Sequence, residues 1–244
     1  NNESTTFSGV MSNSGSGATL ALVKTGTGTL TLSGSNAYSG TTTISAGTLQ
    51  IGSGGTSGSI GSTSGVTNNA TLAYNRSDNI TASYAISGTG ALTKSGAGTL
   101  TLSGANSYSG TTTINAGVLE ITNGSAIADA GVVTLSNVSG AGIAVNTSET
   151  IGSLRGGGAT GGNVSIADGQ MLTVAETGSQ AFAGAITNSG SLAKSGAGTL
   201  ILSSASSSFS GGTTVRGGRL VASNANALGS GNILLRADST SRAT

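Results

Sequence analysis

This sequence predicts an all-β fold, a parallel β-solenoid (β-helix) of roughly a dozen coils. Three observations predict it: a long internal repeat, apolar–polar alternation within the repeat, and a return of similar strand positions after roughly 20 residues. The segment KTGTGTLTLSGSNAYSGTTTISAGTLQI, Lys24 to Ile51, recurs as KSGAGTLTLSGANSYSGTTTINAGVLEI, Lys94 to Ile121, with 21 of 28 positions identical. A looser third copy runs from Lys194 to Ala222 and carries one extra residue before Phe209. With their leading residues the copies occupy 22–51, 92–121 and 192–222.

Each element follows from the residues in turn. Thr29-Leu30-Thr31-Leu32-Ser33 alternates strictly, which places Leu30 and Leu32 on one face and Thr29 and Thr31 on the other. By the same rule Leu100 and Leu102 of the second copy point inward, and Thr99 and Thr101 outward. Thr41-Thr42-Thr43-Ile44-Ser45 alternates more weakly, and Val118-Leu119-Glu120-Ile121 closes the second copy as another strand. Gly26, Gly28, Gly34, Gly40 and Gly47 separate these runs and suit tight corners. Leu22 to Ile44 is 22 residues and Leu30 to Leu49 is 19, room for three short strands and three corners. Antiparallel hairpins are signalled only at Asn123-Gly124 and Asp168-Gly169, which argues against a sandwich. No window carries helical spacing of apolar residues. The expectation is a single β-helical unit over 1–244, a rod about 55 Å long at ~4.8 Å per coil.

Composition narrows the functions. Glycine is 43 of 244 residues and charged residues are 7%, yet 35% are hydrophobic, enough to fill a narrow core. Stacked Thr, Ser and Asn can pair along the outside as ladders. Net charge is +1, which leaves no electrostatic footprint for nucleic acid or anionic lipid. No apolar run is long enough to span a membrane as a helix. The absence of cysteine removes disulfides, which would obstruct threading of an unfolded chain through a narrow pore.

The pattern L-x-K-x-G-x-G-T-L-x-L-S-G-x-N-x-Y-S-G-T-T-x-I-x-x-G-x-L, read at Leu22–Leu49, Leu92–Leu119 and, with departures, Leu192–Leu220, resembles the passenger-associated transport repeat of bacterial type V autotransporters. The flanks Tyr84-Ala85-Ile86-Ser87-Gly88 and Phe182-Ala183-Gly184-Ala185-Ile186 fit the same resemblance, as do Thr150–Leu154 and Asn226–Gly231. The resemblance implies a right-handed β-helical passenger, secreted or held at the bacterial cell surface, whose repeats assist secretion. It also implies an export signal and a C-terminal outer-membrane translocator outside this fragment. The start, Asn-Asn-Glu-Ser, and the end, Asp238 to Thr244, have the character of neither. A structural and adhesive role follows, with a host cell-surface receptor, matrix, glycan or a second copy as partner.

Catalytic chemistry is constrained by what is missing. Histidine and cysteine are both zero, which excludes His-based triads, thiol nucleophiles and zinc sites of the usual ligands. No catalytic, cofactor or metal residue is therefore assigned, and no cofactor is expected. The acids are Glu3, Asp78, Glu120, Asp129, Glu149, Asp168, Glu176 and Asp238, and they read as solvated corner charges. The alternative is a secreted effector or polysaccharide-active enzyme using carboxylates and arginine within 123–180. There Glu149 and Asp168, 19 residues or about one coil apart, would lie within reach of Arg155, and Gly156-Gly157-Gly158 suggests a protruding loop. Asp168, in Ala-Asp-Gly-Gln, reads equally as a turn residue. Tyr38, Tyr108 and Phe209 share one repeat position and read as corner aromatics covering the core rather than a sugar-binding stripe. Lys24, Lys94 and Lys194 each end a strand before a glycine corner and read as edge charges that keep the rod soluble.

Overall fold

The computed structural model describes residues 2–15 and 17–236, so Asn1, Asp238 and the terminal stretch to Thr244 read above lie outside the described residues. All regular structure within them is β: 26 strands of two to four residues, with no helix. Every pairing is parallel. Neither Asn123-Gly124 nor Asp168-Gly169 makes a hairpin. The strands stack into a β-solenoid of about 11 turns.

One face is an unbroken 11-stranded sheet running from Thr5–Phe7 to Arg219–Ala222. A second face carries a 4-stranded sheet from Leu22–Lys24 to Ile86–Ser87 and, further along, a 5-stranded sheet from Glu149–Ile151 to Ile233–Leu235. The third carries a 6-stranded sheet from Ile80–Ala82 to Ile186–Thr187. Inward residues stack in register along each ladder: Leu49 pairs with Leu72, and Leu72 with Leu92, all fully buried. A buried leucine contributes about 1.5–3 kcal/mol, and each coil finds this burial only against its neighbours. Leu100 and Leu102 lie inside as alternation requires. Thr31 is shielded although it faces outward, because Thr6 and Gln50 flank it on adjacent strands.

Ladder spacing fixes how the repeats sit around the axis. From Leu30 to Leu220 the long sheet takes nine steps over 190 residues, about 21 per coil. The 70 residues from Lys24 to Lys94 are therefore about three and a third turns, and the 170 from Lys24 to Lys194 about eight. Accordingly Thr29–Leu32 and Thr199–Leu202 both join the 11-stranded sheet, while their counterpart Thr99–Leu102 joins the 6-stranded one. The middle copy is rotated by one face relative to the other two.

The second face has no strand between Ile86–Ser87 and Glu149–Ile151, and side chains bridge the interval. Asn106 Oδ1 accepts from the Ile86 N–H at 2.8 Å, and its Nδ2 donates to the Ala126 carbonyl at 2.8 Å. The Glu149 carboxyl accepts from the N–H groups of Ile127 at 2.8 Å and Ala126 at 3.4 Å. An amide presents one acceptor and two donors, so it can replace a peptide unit in a ladder. Asn36 repeats the arrangement in the first copy, between the Met11 N–H and the Ser59 carbonyl.

Candidate functional site

The repeat lysines are not edge charges. Lys24, Lys94 and Lys194 are 5%, 2% and 0% exposed, because each shares the inward parity of the leucine or valine stack beside it. Lys24 Nζ donates to the carbonyls of Gly26 at 2.7 Å, Thr25 at 2.9 Å and Ala46 at 3.0 Å. Lys94 Nζ donates to Gly96 and, at 3.1 Å, to Ala116. Lys194 Nζ donates to the carbonyls of Ser195, Gly196 and Gly217. Each ammonium thus ties its own corner to the corner of the following coil and satisfies carbonyls that no strand reaches. Burial pushes Lys94 down to about 8, and Lys194 is lowered for the same reason. Gly47 and Gly117 complete the arrangement at φ +68° and +65°, where an added Cβ would stand 2.4 Å from a carbonyl oxygen of the neighbouring corner and under 3 Å from the ammonium.

The acids considered for catalysis separate. Glu149 is 2% exposed, inside the coil rather than at a solvated corner, and its oxygens face backbone N–H groups. Burial pushes its carboxyl up to about 7, with the N–H groups of Ile127 and Ala126 opposing and Asp129 adding to the rise. Asp168 is exposed on the turn closed by the Gln170 N–H to the Ala167 carbonyl, as its tetrapeptide indicated. Arg155 pairs with neither: its Nε donates to Ser153 Oγ at 3.2 Å. The acids that share a hollow with Arg155, about 370 Å³ in volume, are Asp129 and Glu176. Glu176 is also buried, accepting from Ser153 Oγ at 2.5 Å and the Gly178 N–H at 2.9 Å. Sequence spacing misaligned the acids because Glu149 pairs with Leu172, a step of 23 residues rather than 19, which leaves Asp168 four residues short of it on the preceding corner. The Gly156–Gly158 run does not stand free: the Gly157 N–H donates to the Leu135 carbonyl of the preceding coil at 2.8 Å, and the Gly158 N–H to the Gly161 carbonyl at 2.9 Å.

The corner aromatics are fully buried, as their shared repeat position suggested. Tyr38 and Tyr108 hydroxyls meet the Oγ1 atoms of Thr42 and Thr112 at 2.8 and 2.6 Å. They present no surface to a ligand.

A different pair of tyrosines lines a cavity that sequence reading did not find. Between Thr48–Ile51 and Thr71–Tyr74 the register step is 23 residues, and the additional chain forms the glycine-rich corner Gly52-Ser53-Gly54-Gly55-Thr56-Ser57-Gly58. At the Gly58 end of this corner lies a half-open cavity of about 230 Å³ with Ile51, Ile60, Ile80, Tyr74, Arg76 and Tyr84 among its walls. The hydroxyls of Tyr74 and Tyr84 hydrogen-bond each other. Burial raises both phenols, so both are neutral. Arg76 holds the corner: Nη1 donates to the Gly58 carbonyl and Nη2 to that of Thr56 at 2.5 Å. Its Nε and Nη2 also engage Asp78 at 2.8 and 2.6 Å, and this hydrogen-bonded pairing holds the Asp78 carboxyl below its usual range.

Among the described residues no group of three or more acidic side chains is placed to hold a metal ion. Nor, among the described residues, is any helix long and apolar enough to cross a membrane.

The passenger-associated-transport-repeat family matches residues 22–51, 92–121 and 192–222. A curated relative, the adhesin BmaC autotransporter of Brucella suis biovar 1 (strain 1330), is 38% identical over an alignment that covers 78% of this chain. The same alignment covers 6% of that protein, so the chain spans a small part of its relative's length. No solved structure matches the chain.

Proposed function

Taking as premise that the chain belongs to the autotransporter passengers with passenger-associated transport repeats, we propose that it is an adhesive rod segment without enzymatic activity. It is secreted to the bacterial cell surface. The observation that carries the proposal is the unbroken 11-stranded ladder, which makes the chain a stiff spacer able to hold a polar flank away from the cell. Its relative is named an adhesin, and the outward Thr, Asn and Ser ladders are suited to wet, hydrogen-bonded contact with a host receptor, matrix, glycan or a second rod. In secretion each coil that closes on the one before removes apolar surface from water, which biases the chain toward the side where it folds. A C-terminal outer-membrane translocator in the same polypeptide completes the proposal.

The test is an in-frame deletion of these residues from the whole passenger, scored for surface display and for adherence to cultured cells and immobilised matrix. Adherence should fall while display persists at reduced yield. Unchanged adherence by a fully displayed deletion would overturn the adhesive role.

A further inference from the structure

We propose that the cavity between Gly58 and the Tyr74–Tyr84 pair is a binding site for a single neutral sugar ring, such as the terminal unit of a glycan. The reading does not depend on the adhesive role, since such a site could equally anchor the rod to surface polysaccharide of its own cell. At about 230 Å³ the cavity lies below the range of about 300–1,000 Å³ usual for drug-sized ligands and suits one ring. Its walls combine apolar and polar groups as a pyranose does: Ile51, Ile60 and Ile80 with two phenols, a guanidinium and the exposed Thr81.

Hydrogen-bond arithmetic leaves capacity for a ligand. In the Tyr74–Tyr84 pair one hydroxyl donates to the other, so one phenolic hydrogen has no acceptor within the pair. Of the five N–H groups of Arg76, four reach Asp78, Thr56 and Gly58, and one on Nη1 remains. Two spare donors beside the Thr81 hydroxyl match vicinal hydroxyls. The Asp78 carboxylate cancels the Arg76 charge, so a carboxylate-bearing sugar gains no net attraction. The phenols stay neutral and add none.

The experiment is saturation-transfer NMR on the full chain with methyl glycosides of glucose, galactose, mannose and N-acetylglucosamine, and with methyl glucuronide as the charged comparison. At least one neutral glycoside should bind with millimolar affinity. Tyr84→Phe and Thr81→Val should each weaken it about three- to tenfold, with unchanged far-UV spectra. No transfer from any neutral glycoside would overturn the proposal, as would equal binding by both variants. Preference for the glucuronide would overturn the neutral class.

Discussion

Phe209 stands four residues before Thr213, as Tyr108 stands before Thr112, and Thr213 Oγ1 is the buried side-chain atom left without a hydrogen-bond partner among the described residues. The third copy has the threonine of the motif and has lost the hydroxyl that served it. Phe209→Tyr should return that partner and stabilise the chain by about 1 kcal/mol. Tyr108→Phe should cost a similar amount by leaving Thr112 in the same state. Urea midpoints of the two variants check this, and a destabilising Phe209→Tyr would mean that the third corner has closed over the missing atom.

The corner lysines behave as structural donors if their carbonyl partners matter. Lys94→Ala should cost about 2–4 kcal/mol, because it opens a void and orphans the carbonyls of Gly96 and Ala116. Lys94→Met should cost less, since it fills the space and removes a desolvated charge. Thermal unfolding of both variants decides; no loss in Lys94→Ala would restore the view of these lysines as surface charges.

These two cases show what the sequence makes legible. Alternation in Thr-Leu-Thr-Leu and a 19–22-residue return are enough for strands, facing and solenoid, because stacked coils impose both periods directly. The same alternation places Lys94 two residues after Leu92 and hence inside, but residue type pointed outward, and only the carbonyl cage explains why parity prevails. Glu149 likewise shares the inward parity of Ile151. Its partners, Ala126 and Ile127, sit in a coil segment with no strand pattern to align. The Tyr74–Tyr84 cavity depends on a 23-residue coil whose extra glycines carry no periodic signal.

Glu149 gives the rod a pH dependence. Its folded pKa of about 7 lies above the ordinary 4.5, so the native state holds the proton more tightly than the unfolded chain. The stability this group contributes should be fully present below pH ~4.5 and be lost as pH rises through 7, by roughly 3 kcal/mol. Glu149→Gln should flatten the difference between pH 5 and pH 8. Equal pH dependence in wild type and variant would contradict the assignment.

Facing is tested in the second copy. Leu100→Asp buries a carboxylate among Ile80, Leu119 and their neighbours and should cost several kcal/mol, about 3–5. Thr101 faces outward but donates to Glu120 at 2.5 Å on the next coil. Thr101→Asp should therefore cost somewhat more than β propensity alone, about 1–2 kcal/mol, and added salt should relieve part of it. If Thr101→Asp were the more damaging, the strand register would be inverted.

The adhesive rod is tested most directly with beads coated with the folded chain and counted on cultured host cells and matrix. Wild type should bind saturably, Leu100→Asp should lose binding with its fold, and Glu149→Gln and Asp168→Asn should bind as wild type does. Beads that never exceed the uncoated control, or turnover of a polysaccharide that is lost in Glu149→Gln or Asp168→Asn, would contradict a non-enzymatic adhesive role.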